Sequence, residues 1–312
     1  MLKEKFVEMV AEQIVNVLPA EYEDAKVSIQ EVMKNNDQKL TGLTIRKEGV
    51  NMAPNIYLDS FYDQYEEGRD FDEILEEIAK LRVENDVVED FDVNSVTSWD
   101  YVKENVQPRL VGTGNGYNKS FLEDKPYTSF EDMAIVYYIA LGGNENGLMT
   151  AAVTTQMLDG YGVTLEELND AAIQNLSKKG FEFKSMREVM MEMFPGACDG
   201  LIPEEETPSL YVLTNSEKCY GASTLLDSNA TKQISEQLGG DYVILPSSVH
   251  EVLILPMSSV SDKETLESMV REVNETQVAP NERLSDHIYR YDSESGKVHQ
   301  VTGSLYKTVL TA

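Results

Sequence analysis

Two serines, a histidine and a glutamate stand together in ILPSSVHEVLILP, residues 244–256, between two aliphatic runs. A hydroxyl, an imidazole and a carboxylate are the parts of a hydrolytic site. Such a site needs a base within about 3 Å of the nucleophile and an acid behind the base to orient it. Alternate residues of a strand share a face, so Ser248 and His250 can meet locally, with Ser247 and Glu251 as further members of the group. The same residues also suit a polar corner. Pro246 would end one strand, the serines would bond the turn backbone, and His250 would satisfy a buried bend. Neither serine stands in a strand–turn–helix elbow, which favours the corner. Cys219 offers a second nucleophile for His250, but it precedes Tyr220 in an expected hairpin. No zinc-protease motif is present, because residue 254, where a second ligand would fall, is isoleucine. His287 and His299 complete the histidines and add no ligand spacing.

Two other polar stretches carry candidate chemistry. VGTGNGYNKS, residues 111–120, places Lys119 and Ser120 as a phosphate loop would, but Thr113 and Asn118 occupy the positions that need glycine. Nucleotide binding there is not expected. NETQVAPNERLSDHIYRYD, residues 274–292, gathers Asn274, Glu275, Gln277, Asn281, Glu282 and Asp286 in a loop after a helix, which suits a contact surface and a solvated connection equally.

The elements that must position these residues read as α+β. Leu2, Phe6, Met9, Val10, Ile14 and Val17 form one helical stripe, which Pro19 ends. Strand-like runs follow at 25–33, 40–47 and 54–59, with NND at 35–37 as a turn, and then a helix through Phe71, Ile74, Leu75, Ile78 and Leu81. Asp70 and Glu73 form an expected reciprocal cap for that helix. This αβββα unit is assigned residues 1–93. A larger domain, 94–312, is expected to be antiparallel sheet covered by helices, with a sub-boundary at the acidic link PEEETP, 203–208. Within it, residues 95–106 read as a helix, and FEDMAIVYYIAL and GLMTAAVTT as two paired strands. Thr164 with Glu167, Ser185 with Glu188 and Ser261 with Glu264 mark three helix starts. Met186, Val189, Met190 and Met193 read as adaptable core. SLYVLTN and CYGASTLL as strands, a helix, then DYVILP and EVLILP and another helix give a ββαββα order, closed by a hairpin at HIYRYDSESGKVHQV.

Four blocks carry a family resemblance: LTGLTIRKEGVNMAPNIYLDSFYDQYEEGRDFDEILEEIA, YGVTLEELNDAAIQNL, GDYVILPSSVHEVLILP and NETQVAPNERLSDHIYRYD. In this order they resemble a bacterial family catalogued as domain of unknown function 5688, across nearly the whole chain. The resemblance implies a bacterial, intracellular protein and transfers no catalytic residue.

Composition narrows the function classes. Against 26 basic residues stand 55 acidic ones, a net charge of −29. A surface this negative repels phosphate backbones, so direct nucleic-acid and anionic-membrane binding are not expected. Between Asp59 and Asp92 alone, 14 acids face three bases. A solvated face explains such an excess, and so does a docking surface for a basic protein. The N-terminus has no signal-peptide core, no apolar run reaches membrane-spanning length, and Cys198 and Cys219 form no metal spacing or disulfide framework. These features suggest a cytoplasmic setting and no cofactor. The first expectation is a non-enzymatic interaction protein, one version being a DNA mimic serving a mobile element. Its rival is a hydrolase-like enzyme around His250.

Overall fold

The apolar stripe of the first segment predicts a helix, and α1 (Lys3–Val17) buries Phe6, Val10 and Ile14 at successive four-residue steps. The computed structural model describes residues 1–86, 91–144, 147–194, 210–246, 248–260, 262–303 and 305. These form two compact units. The first comprises Met1–Lys34, Gln38–Ser98 and Ala140–Thr150, and the second Asn35–Asp37, Trp99–Ile139 and Ala151–Ala312. The sub-boundary expected at 203–208 lies outside the described residues.

In the first unit β1 (Lys26–Met33), β2 (Lys39–Arg46) and β3 (Asn55–Tyr57) form an antiparallel sheet in that order. Val27 faces Ile45, and Leu43 faces Ile56. The third strand is shorter than the sequence suggests, because a helix absent from that reading, α2 (Asp59–Glu66), begins directly behind Leu58. α3 (Phe71–Glu84) buries Ile74, Leu75, Ile78 and Ala79. With Phe6, Val10, Ile14, Leu43, Ile45, Leu58 and Phe61 they make one core cluster. Each such leucine, isoleucine, valine or phenylalanine contributes about 1.5–3 kcal/mol. Only half of the expected reciprocal cap forms: Asp70 accepts from the amides of Asp72 and Glu73, while the Glu73 carboxylate turns to Arg69.

Arg82 also sits in this unit, 1% exposed. Its Nε donates to the Ile45 carbonyl (2.8 Å), an NH1 hydrogen to Asp86 (2.9 Å), and its plane lies over the Tyr22 ring. Burial alone would raise the Asp86 pKa, but hydrogen bonds from Lys47 and Arg82 outweigh it and hold the carboxyl below its usual range.

The second unit holds α4 (Trp99–Asn105), shorter than expected because Ser95–Thr97 is a separate 3-10 turn, ended by extended backbone at Ser98, and Val106 already starts β4 (Val106–Gly112). β5 (Thr128–Phe130) and β6 (Met133–Asn144) both pair antiparallel with partners in one sheet, β6 lying between β4 and β5. The run FEDMAI is therefore not one strand. Glu131, in left-handed backbone at φ 54°, turns the chain between β5 and β6. β7 (Gly147–Ala152) pairs with β6, and Ala140–Thr150, which holds the end of β6 and most of β7, belongs to the first unit. A helix not expected, α5 (Thr155–Tyr161), precedes α6 (Leu165–Lys179). The capping box of Thr164 and Glu167 forms as the spacing predicts, and so does that of Ser185 and Glu188.

An unanticipated strand, β8 (Phe181–Ser185), leads into α7 (Met186–Met193), whose methionine stripe is not core: no residue of that helix is fully buried. β8 is the edge strand of the second sheet, so α7 has only a narrow surface to cover. That sheet is antiparallel, and β9 (Tyr211–Asn215), β10 (Tyr242–Leu245), β11 (Val252–Pro256), β12 (Tyr289–Asp292) and β13 (Lys297–Gln300) are arranged as β13-β12-β10-β11-β9-β8. Helices cover it on both faces, since neighbouring strand residues point to opposite sides. Val243 and Leu245 pack with Leu266 and Val270 of α9 (Lys263–Thr276). On the other face the Tyr242 hydroxyl donates to the Thr231 carbonyl (3.2 Å) of α8 (Ser228–Leu238).

Two expectations fail in this region. CYGASTLL is not a strand: Gly221–Leu226 is a 3-10 turn, so the C-terminal order from β9 is βαββαββ. Asp262, not Ser261, caps α9, its carboxylate accepting from the Thr265 amide (2.8 Å). Ser261 itself lies outside the described residues. The chain is an α+β protein.

Candidate functional site

Both polar stretches read from the sequence, 111–120 and 274–292, come together in the second unit around one small cavity. Gly112 ends β4 where the Leu284 backbone crosses it, and a Cβ there would stand 2.2 Å from the Leu284 carbonyl oxygen. Only glycine permits that approach. Asn118, in left-handed backbone that asparagine tolerates, turns its amide inward to the Gly112 carbonyl (2.8 Å) and to Asn35 (2.9 Å). Asn35 and Asn36 in turn donate to the Arg283 carbonyl (2.9 and 2.8 Å). The asparagine therefore braces two loops, and Lys119 and Ser120 lie exposed to solvent.

Asp132 enters from the turn between β5 and β6, where its carbonyl accepts from both the amide and the hydroxyl of Thr113 (2.9 and 2.8 Å). Its carboxylate receives His287 Nδ1 (2.7 Å), Ser285 Oγ (3.3 Å) and the Tyr289 hydroxyl. Ser285 Oγ also accepts from the His287 amide (3.1 Å) and lies 2.8 Å from the Tyr289 hydroxyl. Burial, and then the Asp132 charge, push the Tyr289 phenol well above its ordinary value, so it is a neutral donor. Because a carboxylate has no proton to give, His287 carries a hydrogen on Nδ1, and in the neutral form of the ring Nε2 is the acceptor.

Asn274, near the end of α9, donates from Nδ2 to the Ser285 carbonyl (2.9 Å) and to Asp286 Oδ1 (3.0 Å). It is 1% exposed, and its own Oδ1 has no hydrogen-bond partner. Arg283 caps the same helix end, donating to the carbonyls of Val278 (3.2 Å) and Glu275 (3.4 Å). The cavity these groups share has a volume of about 70 Å³, and Tyr117, Asp132, Asn274, Glu275, Asp286 and His287 are among its lining residues.

The serine–histidine–glutamate group lies elsewhere in the unit. Ser248 is buried, donating to Glu251 (3.0 Å) and accepting from the His250 amide (3.0 Å). Ser248 thus meets His250 through the backbone, while the imidazole turns away. His250 Nδ1 accepts from the Tyr220 amide (3.3 Å), the ring stacks on Tyr220, and Nε2 is 3.8 Å from Glu282. The His250 side chain remains 28% exposed. Ser247 and Cys198 lie outside the described residues. Cys219 is a half-buried free thiol whose pKa burial raises, the opposite of an activated nucleophile. Among the described residues no group of three His, Cys, Asp or Glu side chains is placed to hold a metal ion.

The residues missed in the sequence are Asp132, Ser285 and His287 as a set. Asp132 and His287 are 155 positions apart, and FEDMAI reads as mid-strand, which hides the aspartate. The unmatched polarity of that aspartate within an apolar run was the available signal.

Among the described residues no helix is long and apolar enough to cross a membrane. Neither the curated proteins nor the solved structures contain a match to this chain. A family model does match, over residues 3–293, and its description is a family of unknown function, DUF5688. Nearly the whole chain is covered, so the protein belongs to the DUF5688 family.

Proposed function

We propose that the protein acts by non-covalent recognition of a basic protein partner through an acidic face of its first unit, in the cytoplasm and without chemistry of its own. The observation that carries this reading is the solvent side of α2 and α3. Asp63, Glu66, Glu67, Asp72, Glu73, Glu76 and Glu84 are all exposed there. Arg69 and Lys80 pair with Glu73, Glu77 and Glu84, which leaves Asp63, Glu67, Asp72 and Glu76 with no ion pair among the described residues. Clustered like charge raises the potential over the face and accelerates encounter with a partner of opposite sign. A DNA mimic acting on a nucleic-acid-binding protein is one form of such a partner.

The test is to identify proteins retained at low salt, purify the retained one, and titrate it against wild type and against the combined variant D63N/E67Q/D72N/E76Q. The reading expects a basic partner, with an affinity about tenfold weaker in 300 mM than in 50 mM salt and weaker again in the variant. Retention of no basic protein, or an affinity indifferent to both salt and variant, refutes it.

A second reading, an enzyme built on a histidine, is supported by the pairing of Asp132 with His287. A carboxylate on Nδ1 and a cavity lined by the same imidazole are features that general-base catalysis on a bound water uses. His250, whose Nδ1 is engaged by the Tyr220 amide, is the other candidate. Hydrolysis of an ester or amide panel that is lost in H287A but kept in H250A would favour His287, and the converse would favour His250. No turnover by the wild type removes this reading.

A further inference from the structure

We infer that the cavity lined by Asp132, Asn274, Asp286 and His287 is a binding site for a single protonated amine or guanidinium group. The inference rests on the second unit alone and does not depend on the acidic face of the first. Three carboxylates, Asp132, Glu275 and Asp286, line the space with one guanidinium, Arg283, which donates from Nε to the Val278 carbonyl and from Nη2 to the Glu275 carbonyl, so the carboxylates outnumber it three to one. The Asp132 carboxylate engages the His287 ring at Nδ1 (2.7 Å), so that in the neutral ring it is Nε2 that presents a lone pair.

Asn274 supplies the independent observation. Its amide cannot be turned over, because Nδ2 faces two acceptors, the Ser285 carbonyl and Asp286 Oδ1. Its Oδ1 is therefore held as an acceptor, buried and without a partner. A buried acceptor left unmatched is costly, and a donor seated in the cavity removes that cost.

The lining is thus rich in acceptors and negative charge, and the group that matches it carries several N–H donors and a positive charge. An anion would face the carboxylates. The volume of about 70 Å³ admits a small head group and is far below the roughly 300 Å³ or more of a pocket that encloses a whole drug-sized ligand. The head group can belong to a free small cation or to a lysine or arginine side chain of another protein.

The experiment follows the His Cε1–H resonances and the Asn274 side-chain amide of the full chain by NMR. Methylguanidinium chloride, methylammonium chloride, sodium acetate and the capped tripeptide acetyl-Gly-Arg-Gly-amide are titrated separately. At least one cation is expected to shift the His287 and Asn274 signals saturably, with His250 and His299 unmoved and acetate without effect. D286N, and separately E275Q at an exposed position, each weaken that binding at least threefold. The variant D63N/E67Q/D72N/E76Q retains it, so failure of the first-unit proposal is read independently. Tighter binding of the tripeptide than of methylguanidinium identifies a protein side chain as the source, and the reverse order a free small molecule. Absence of a saturable shift with every cation, a stronger response to acetate, or unchanged cation affinity in both D286N and E275Q overturns the inference.

Discussion

Replacing Asp241 by asparagine tests how far one half-buried carboxylate stabilises the second unit. Asp241 stands just before β10, 16% exposed, and accepts from Nε and Nη2 of Arg290 on β12 and from the Ser293 amide (2.8 Å) and hydroxyl (2.5 Å). Burial opposes its charge, but these four donors outweigh burial and lower its pKa from 3.8 to about 2. A depressed carboxylate contributes stability that is fully present above its unfolded value and is lost as pH falls from about 4 toward about 2. A difference of nearly two pH units corresponds to about 2 kcal/mol. D241N removes that contribution and leaves Arg290 without its counter-charge, so at pH 7 it should be less stable by at least this amount. Urea unfolding followed by the fluorescence of Trp99, the only tryptophan and a residue of the same unit, reads the difference at each pH. The gap between wild type and D241N should be constant from pH 7 to pH 5 and shrink by about 2 kcal/mol by pH 2. An undiminished gap at pH 2, or an Asp241 carbon resonance that titrates near 3.8, refutes the electrostatic argument.

Two further substitutions test packing. In G221A the new methyl would stand 2.1 Å from Thr214 Oγ1, 2.4 Å from the His250 carbonyl oxygen and 2.7 Å from the Asn215 nitrogen. Two of these are backbone atoms that cannot yield, so a loss of about 3 kcal/mol in calorimetry is expected, and T214A should restore only part of it. In R82A the Ile45 carbonyl and Asp86 both lose a donor in the first unit, at a cost of about 3 kcal/mol. Amide exchange should accelerate across β2 and α3, and a variant as protected as wild type would show that the buried guanidinium contributes nothing net.

What was legible in the sequence shares one property: each feature depends on residues within a few positions of one another. The Phe6–Val10–Ile14 stripe and the capping boxes at Thr164 and Ser185 are satisfied by short-range geometry, and they appear as read. So does the family, because ordered blocks of sequence carry it. Where local pattern misleads, a distant contact has overruled it. CYGASTLL has the residue types of a strand, but Tyr220 is held in left-handed backbone, and Gly221 is wedged against Thr214 and the His250 carbonyl. FEDMAI likewise reads as continuous strand until Glu131 reverses the chain and aims Asp132 at a histidine 155 residues away. The cavity was decided by tertiary structure alone. The asparagines that brace its loops and its Asp132–His287 pair join segments remote in the chain, and hydrogen bonds between remote segments leave no period in the sequence to be read.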